Sequence, residues 1–174
     1  LEALATKDIL TGLYNHAYFQ ERLNEELARC QTAGGELGLM MIDIDQIKQV
    51  NDTLGHEAGD NLIKAVAQEL LDRSYERHQQ TLTDKPFFAA RFGGDEFALI
   101  VPNATKVSLT AMAENMRAWF EQHHHDQRIE HTTLSIGIAT FPTDAKSRDS
   151  LIAAADRALY LAKTSGRNRV INHT

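Results

Sequence analysis

The sequence predicts an α/β fold: a three-layer sandwich in which a mixed sheet of about five strands lies between layers of helices. Two observations predict it. Short apolar runs of strand length alternate along the chain with longer segments whose apolar residues recur at helical spacing. One pair of runs, 87–90 and 97–101, is separated only by Arg91-Phe92-Gly93-Gly94-Asp95-Glu96, which reads as a hairpin set into that alternation.

Taken in order, Asn15 can cap a first helix bearing Phe19, Leu23, Leu27 and Cys30 on one stripe and ending near Gly34-Gly35. The run from Leu37 has no polar residue until Asp43, as a buried central strand requires. Asp45 is placed to start a short helix through Val50, and beyond Gly55 to Gly59 a longer helix turns Leu62, Ile63, Val66, Leu70 and Leu71 inward. The polar stretch 76–86 reads as a long surface loop. In the hairpin, Gly93 and Gly94 are expected to supply the positive φ of a tight two-residue turn. Val107, Met112, Met116, Trp119 and Phe120 mark the next helix, and Leu134, Ile136 and Ile138, alternating with small residues over 132–140, mark a strand. Leu151, Ile152, Ala155, Leu159 and Ala162 share one face of the last helix, which closes near Gly166 before a final strand at 169–172. His123-His124-His125 reads as a solvated helix end, because three consecutive helical residues point in different directions and cannot share a metal.

At 174 residues and 43% hydrophobic content the chain is long enough for one domain with its own core. A net charge of −6 argues against a general nucleic-acid binder, so any anionic ligand must be held by a local cluster of cations. No apolar run approaches the length of a membrane span and no segment resembles a signal peptide. A cytoplasmic domain without membrane contact is expected, whether or not another part of a longer protein is anchored. Cys30 is the only cysteine, so no internal disulfide can form.

Gly93-Gly94-Asp95-Glu96-Phe97 resembles the signature of the GGDEF domain, the diguanylate cyclases, and the likeness extends well beyond it. Asp8 with Leu10-Thr11-Gly12-Leu13-Tyr14-Asn15 resembles the family's N-terminal motif. Asp43-Ile44-Asp45, Lys48, Asn51-Asp52, Gly55-His56 and Gly59-Asp60 resemble its metal and guanine region, in order and at family spacing. Ser135-Ile136-Gly137, Ala155-Asp156, Lys163 and Gly166-Arg167-Asn168 match as well, so the resemblance covers residues 5 to 171. It implies a palm-like GGDEF/nucleotidyl cyclase fold. The activity implied is synthesis of cyclic di-GMP from two GTP with release of pyrophosphate, in a homodimer whose subunits each present one GTP. It also implies that residues 1–6 end a connecting helix from an N-terminal sensory or receiver module, and that 7–174 form the GGDEF domain.

The resemblance implies that Asp43, the backbone carbonyl of Ile44 and Asp95 hold Mg²⁺ or Mn²⁺. If the strands carrying them pair side by side, two carboxylates about 4 Å apart would repel by roughly 4 kcal/mol without a cation. Asp95 is the expected acceptor of the 3′-hydroxyl proton, with a metal-bound hydroxide or Glu96 as rival. On a strand Asp95 and Glu96 would face opposite sides, which gives Glu96 a structural part. Asp45 reads equally well as a helix N-cap and as a metal ligand. Gly93 and Gly94 would admit a phosphate or ribose close to the backbone. Lys48 in the first turn of its helix, and Lys163 with Arg167 around the end of the last, would hold the triphosphate. Asn51 and Asp60, bordered by His56, would read guanine. Adenine would leave Asp60 unpaired, a discrimination of roughly 10⁴.

Two departures stand out. Where product-inhibited relatives carry Arg-x-x-Asp, this chain has Asp84 and Phe87, so no inhibitory site is expected. His16 stands where an arginine often follows the asparagine of the N-terminal motif. The alternatives to an active cyclase are a catalytically silent GTP- or cyclic di-GMP-binding signalling module and a nucleotidyl cyclase with another product.

Overall fold

The computed structural model describes residues 5–74, 86–123 and 132–174. In chain order the elements are α1 (His16–Ala33), β1 (Leu37–Ile44), α2 (Ile47–Leu54), α3 (His56–Arg73), β2 (Phe88–Arg91), β3 (Glu96–Pro102), α4 (Lys106–Gln122), β4 (Leu134–Phe141), α5 (Arg148–Thr164) and β5 (Val170–Asn172). They form one sheet in the order β2-β3-β1-β4-β5. Every neighbouring pair is antiparallel except β4 and β5, so the sheet is mixed, as the hairpin within an alternating pattern predicts.

β1 is central and every residue in it is buried, which explains its unbroken apolar run. Strand alternation splits the core between the two faces of the sheet. Met40, Ile42 and Ile44 join Phe97 and Leu99 beneath α2, α3 and α4. Leu37, Leu39 and Met41 join Ala98 and Ile100 beneath α1 and α5. Helix starts are set by local chemistry: Asn15 accepts from the Tyr18 amide, Thr105 from that of Ser108, and Ser147 and Ser150 cap each other reciprocally.

Two glycines set how closely helices approach. A Cβ on Gly137 of β4 would overlap the backbone of Ala155 and Leu159, so α5 lies directly on the strand at that point. A Cβ on Gly59 would overlap the Asn51 side chain, so α3 receives α2 there.

The structure corrects four local expectations. The short helix is not capped by Asp45: its N-cap residue is Gln46, in the left-handed region at φ 61°, with no side-chain cap. The longer helix does not wait for Gly59, because Gly55 at φ 92° makes the break by itself and α3 starts at His56. Neither Gly93 nor Gly94 has a left-handed φ. The connection is a four-residue loop, 92–95, in which the amides of Phe92 and Gly93 both donate to the Glu96 carbonyl, at 2.9 and 3.2 Å. The last strand begins at Val170, one residue later than expected. Of the histidine run, His123 donates from Nδ1 to the Trp119 carbonyl and stacks on that indole. His124, His125, Asp84 and most of the polar stretch lie outside the described residues.

Candidate functional site

β1 and β3 end together, and their register places Asp43 directly opposite Glu96, with Ser135 of β4 on its other side. Side chains directly opposite in an antiparallel pair share a face, so Glu96 projects on the same side as Asp43, towards α5. The Ile44 amide donates to the Asp95 carbonyl at 3.3 Å, which ties the hairpin loop to the end of β1. The expectation that Glu96 would turn away from Asp43 fails because Asp95 precedes the strand, and strand alternation does not run back through the loop.

The Asp43 side chain is almost wholly buried and ion-paired with Lys163 through Oδ2. Its other oxygen, Oδ1, is buried with no hydrogen-bond partner. Burial is the chief cause that pushes the Asp43 carboxyl up to about 7. The charges of Asp95 and Glu96 push the same way, against the hydrogen bond and charge of Lys163. Burial also raises the Glu96 carboxyl, with Asp156 and Asp95 adding to it and Lys163 opposing. Burial alone would lower the Lys163 ammonium, but its bond to Asp43 and the surrounding carboxylates raise it. The site is thus a concentration of negative charge at one end of the central strands, relieved by one lysine.

The loop carrying Asp95 is held from behind. Arg91 donates from Nη2 to the Gly94 carbonyl at 2.8 Å and from Nε to that of Gly93 at 3.2 Å. Its Nη1 reaches Asp8 at 3.2 Å, and Asp8 in turn accepts from the amide and hydroxyl of Thr11. His16 donates from Nδ1 to the Phe92 carbonyl at 3.0 Å and packs its ring on Phe92. The N-terminal motif therefore braces the hairpin loop. A Cβ on Gly94 would meet nothing within 4 Å, so neither backbone conformation nor packing within the chain demands glycine there.

The remaining predicted residues fall in two groups. Lys48 is exposed in the first turn of α2, and Asn51 lies one turn further along the same helix. Asn51 packs on Gly59, beside the exposed Asp60, and its Oδ1 is buried without a partner. His56 is exposed at the start of α3. Lys163 and Arg167 do not form the helix-spaced pair their numbering suggests. Helix α5 stops at Thr164, Gly166 turns at φ 122°, and Arg167 follows exposed at φ 62°, while the Lys163 ammonium is engaged by Asp43. Among the described residues no cluster of three or more His, Cys, Asp or Glu side chains could hold a metal ion, so a cation here must draw on backbone or ligand oxygens as well.

Sequence reasoning missed the partners of Asp45, which are Thr133, Ser135 and Asn168, and the brace formed by Arg91. Arg91 had a usable signal, since it immediately precedes a loop with two carbonyls to hold. Those of Asp45 come from distant parts of the chain.

A mixed, helix-covered sheet with opposed acids where its central strands end is the class these features define. The model of the family described as diguanylate cyclase, GGDEF domain, matches residues 5–169. Diguanylate cyclase A of Treponema denticola is 37% identical over 96% of this chain and 44% of its own length. The cyclic di-GMP phosphodiesterase NbdA of Pseudomonas aeruginosa is 33% identical over 97% of this chain and 20% of its own. The crystal structure of the coiled coil and GGDEF domain of DgcB from Caulobacter crescentus, in complex with c-di-GMP, superposes with a TM-score of 0.85 at 32% identity, over 98% of this chain and 87% of that one. The chain belongs to the GGDEF domain family. It spans less than half the length of either curated relative. No helix among the described residues is long and apolar enough to cross a membrane.

Proposed function

We propose that this domain condenses two GTP into cyclic di-GMP with release of pyrophosphate, one GTP held by each subunit of a homodimer. The observation that carries the reading is the Asp43 carboxylate: buried, opposite Glu96 and under the charge of Asp95, with one oxygen unpartnered. A buried carboxylate oxygen left without a donor is costly unless something arrives to use it. Hard oxygen donors of this kind fit Mg²⁺ or Mn²⁺, to be held by Asp43, Asp95 and the Ile44 carbonyl. When bound, such an ion neutralises charge building on the α-phosphate during phosphoryl transfer.

The chain's own residues bind and orient. Lys48, in the first turn of α2, and Arg167, beyond α5, carry exposed positive charge for the β and γ phosphates. Lys163, ion-paired with Asp43 in this structure, would join them if a bound cation took over that pairing. Asn51 and Asp60, with His56 at the border, take the guanine edge, and the Asn51 Oδ1, buried against Gly59, has no hydrogen-bond partner within the chain. Gly93 and Gly94 leave the loop open to close approach of phosphate or ribose, which accounts for glycines that the backbone does not require. The attacking 3′-hydroxyl passes its proton to Asp95. Glu96 is a stronger rival for that role than its strand position suggested, because a raised carboxyl is a better base near neutrality.

Phe87 is fully buried, so where product-inhibited relatives present an acid this chain presents core. We expect no tight product binding at that surface, and low-micromolar binding of cyclic di-GMP there would contradict this. Input from an N-terminal sensory or receiver module in the longer protein belongs to the same proposal. The test is to incubate the protein with GTP and Mg²⁺ and identify the product chromatographically. Cyclic di-GMP with pyrophosphate supports the reading; another cyclic product, or GTP bound but unchanged at high protein concentration, overturns it.

A further inference from the structure

Asp45 is a buried acid beside the site for which the proposed reaction has no use. Its side chain is 3% exposed, and three neutral donors hold it. The Thr133 hydroxyl donates at 2.7 Å, the Ser135 hydroxyl at 2.6 Å and the Asn168 amide at 3.0 Å. The first two come from the start of β4 and the residue before it. The third comes from the turn that follows α5.

That turn is strained. Gly166, Arg167 and Asn168 have φ of 122°, 62° and 45°, so two consecutive residues with side chains sit in the left-handed region. There Cβ crowds the following carbonyl oxygen, and such backbone persists only where its surroundings over-determine it. Here they do. The Arg167 amide donates to the Ala162 carbonyl at 2.9 Å, and the Arg167 carbonyl accepts from Arg169 Nε at 3.0 Å. The Asn168 side chain accepts from Arg117 Nη1 at 2.8 Å and donates to Glu121 at 3.0 Å. All this fixes a residue, Arg167, whose own side chain is exposed. A helix end needs no such apparatus merely to stop.

Resting on the reading of Arg167 as a triphosphate ligand, we propose that Asp45 is a positioning residue for that ligand. Through the Asn168 amide its carboxylate locks the left-handed turn, and because it lies two residues beyond Asp43 it sets Arg167 relative to the reacting centre. Arg117 is the outer brace of the same turn.

The test is calorimetric, with Mg²⁺ and a GTP analogue carrying a methylene in the α–β bridge, which cannot be cyclised, and with GMP as the control lacking the outer phosphates. Asp45→Asn and Arg167→Ala are each expected to weaken the analogue about tenfold while GMP stays within about twofold. The double variant is expected to bind no more weakly than Arg167→Ala alone, because the two act through one contact. Multiplied losses in the double variant, equal losses for GMP, or wild-type affinity in Asp45→Asn would each overturn the proposal. Should Asp45→Asn fail to fold, Arg117→Met takes its place, with an expected loss of about threefold for the analogue and none for GMP. Wild-type affinity for the analogue in that variant overturns the proposal too. If these patterns hold but GTP yields no cyclic di-GMP, positioning stands and the synthesis reading falls. If cyclic di-GMP forms while Arg167→Ala binds the analogue as wild type does, positioning alone falls.

Discussion

Asp43 and Asp45 lie two residues apart, are equally buried at 3% exposure, and both face the end of α5, yet their surroundings treat them in opposite ways. Asp45 is surrounded by donors, two hydroxyls and an amide, all neutral and all within 3.0 Å. Asp43 has one oxygen on Lys163 and the other on nothing, with two further carboxylates bearing on it. The difference separates an acid that holds backbone in place from one kept available. Stability is best served by the first arrangement and chemistry by the second.

Replacing Asp95, whose charge bears on Asp43 from the hairpin loop, should break the comparison on its chemical side. Asp95→Asn is expected to cut turnover by about 10³-fold or more while leaving the melting temperature nearly unchanged. Steady-state product assays beside thermal melts check both halves, and near-normal turnover would remove Asp95 from its role. Gly137→Ala should break both sides at once. It forces α5 off β4, and α5 delivers Lys163 to Asp43 and the Asn168 turn to Asp45. A loss of about 3 kcal/mol in denaturant unfolding is expected, at the upper end for overpacking because the obstacle is helix backbone.

How much of this was legible in the sequence depended on range. The central strand and the hairpin could be read because their apolar runs are local, and Asp43 stood out as the acid ending such a run and Asp95 as the acid following the glycine pair. The partners of Asp45 could not, since Thr133, Ser135 and Asn168 meet it only when β4 and α5 pack. Its N-cap reading followed a sound local rule that non-local donors overrode. Gly93 and Gly94 misled for a related reason. Glycine pairs usually mean positive φ, and here neither has it: Gly94 leaves open space, while a Cβ on Gly93 would only touch the Glu96 side chain. Gly137 looked like one small residue in an alternating strand, and only the helix lying on it shows what it permits. The left-handed Arg167 was likewise invisible to a spacing of four along a presumed helix.

Asp43→Asn sharpens the comparison through pH. With chelator present, the folded-state carboxyl at about 7 stands above its unfolded value of roughly 3.9, so the folded chain keeps a proton that the unfolded chain has lost between those limits. Stability contributed by that proton is present at low pH and is lost as pH rises through about 7. The neutral variant escapes this loss. Its melting temperature is expected to exceed that of wild type by several degrees above pH 7, and the gap to close as pH falls towards about 4. Asp45→Asn should show no such gain.

The smallest effect concerns the brace behind the loop. Burial raises the Asp8 carboxyl, but the Thr11 hydrogen bonds and the Arg91 charge outweigh it and hold the group below its usual value. Its contribution is therefore present above about pH 4 and lost as pH falls further. Asp8→Asn is expected to cost about 1 kcal/mol at neutral pH and nothing in strong acid, because the pair with Arg91 is only partly buried.

The most direct test of the central claim, that the Asp43 carboxylate is kept open for a divalent cation while Asp45 is not, is a titration of Mn²⁺ followed by its paramagnetic resonance with the methylene GTP analogue present. With the analogue held at a concentration that saturates each variant, saturable Mn²⁺ binding is expected in wild type and in Asp45→Asn, and affinity at least about tenfold weaker in Asp43→Asn. Binding by Asp43→Asn equal to that of wild type would contradict it.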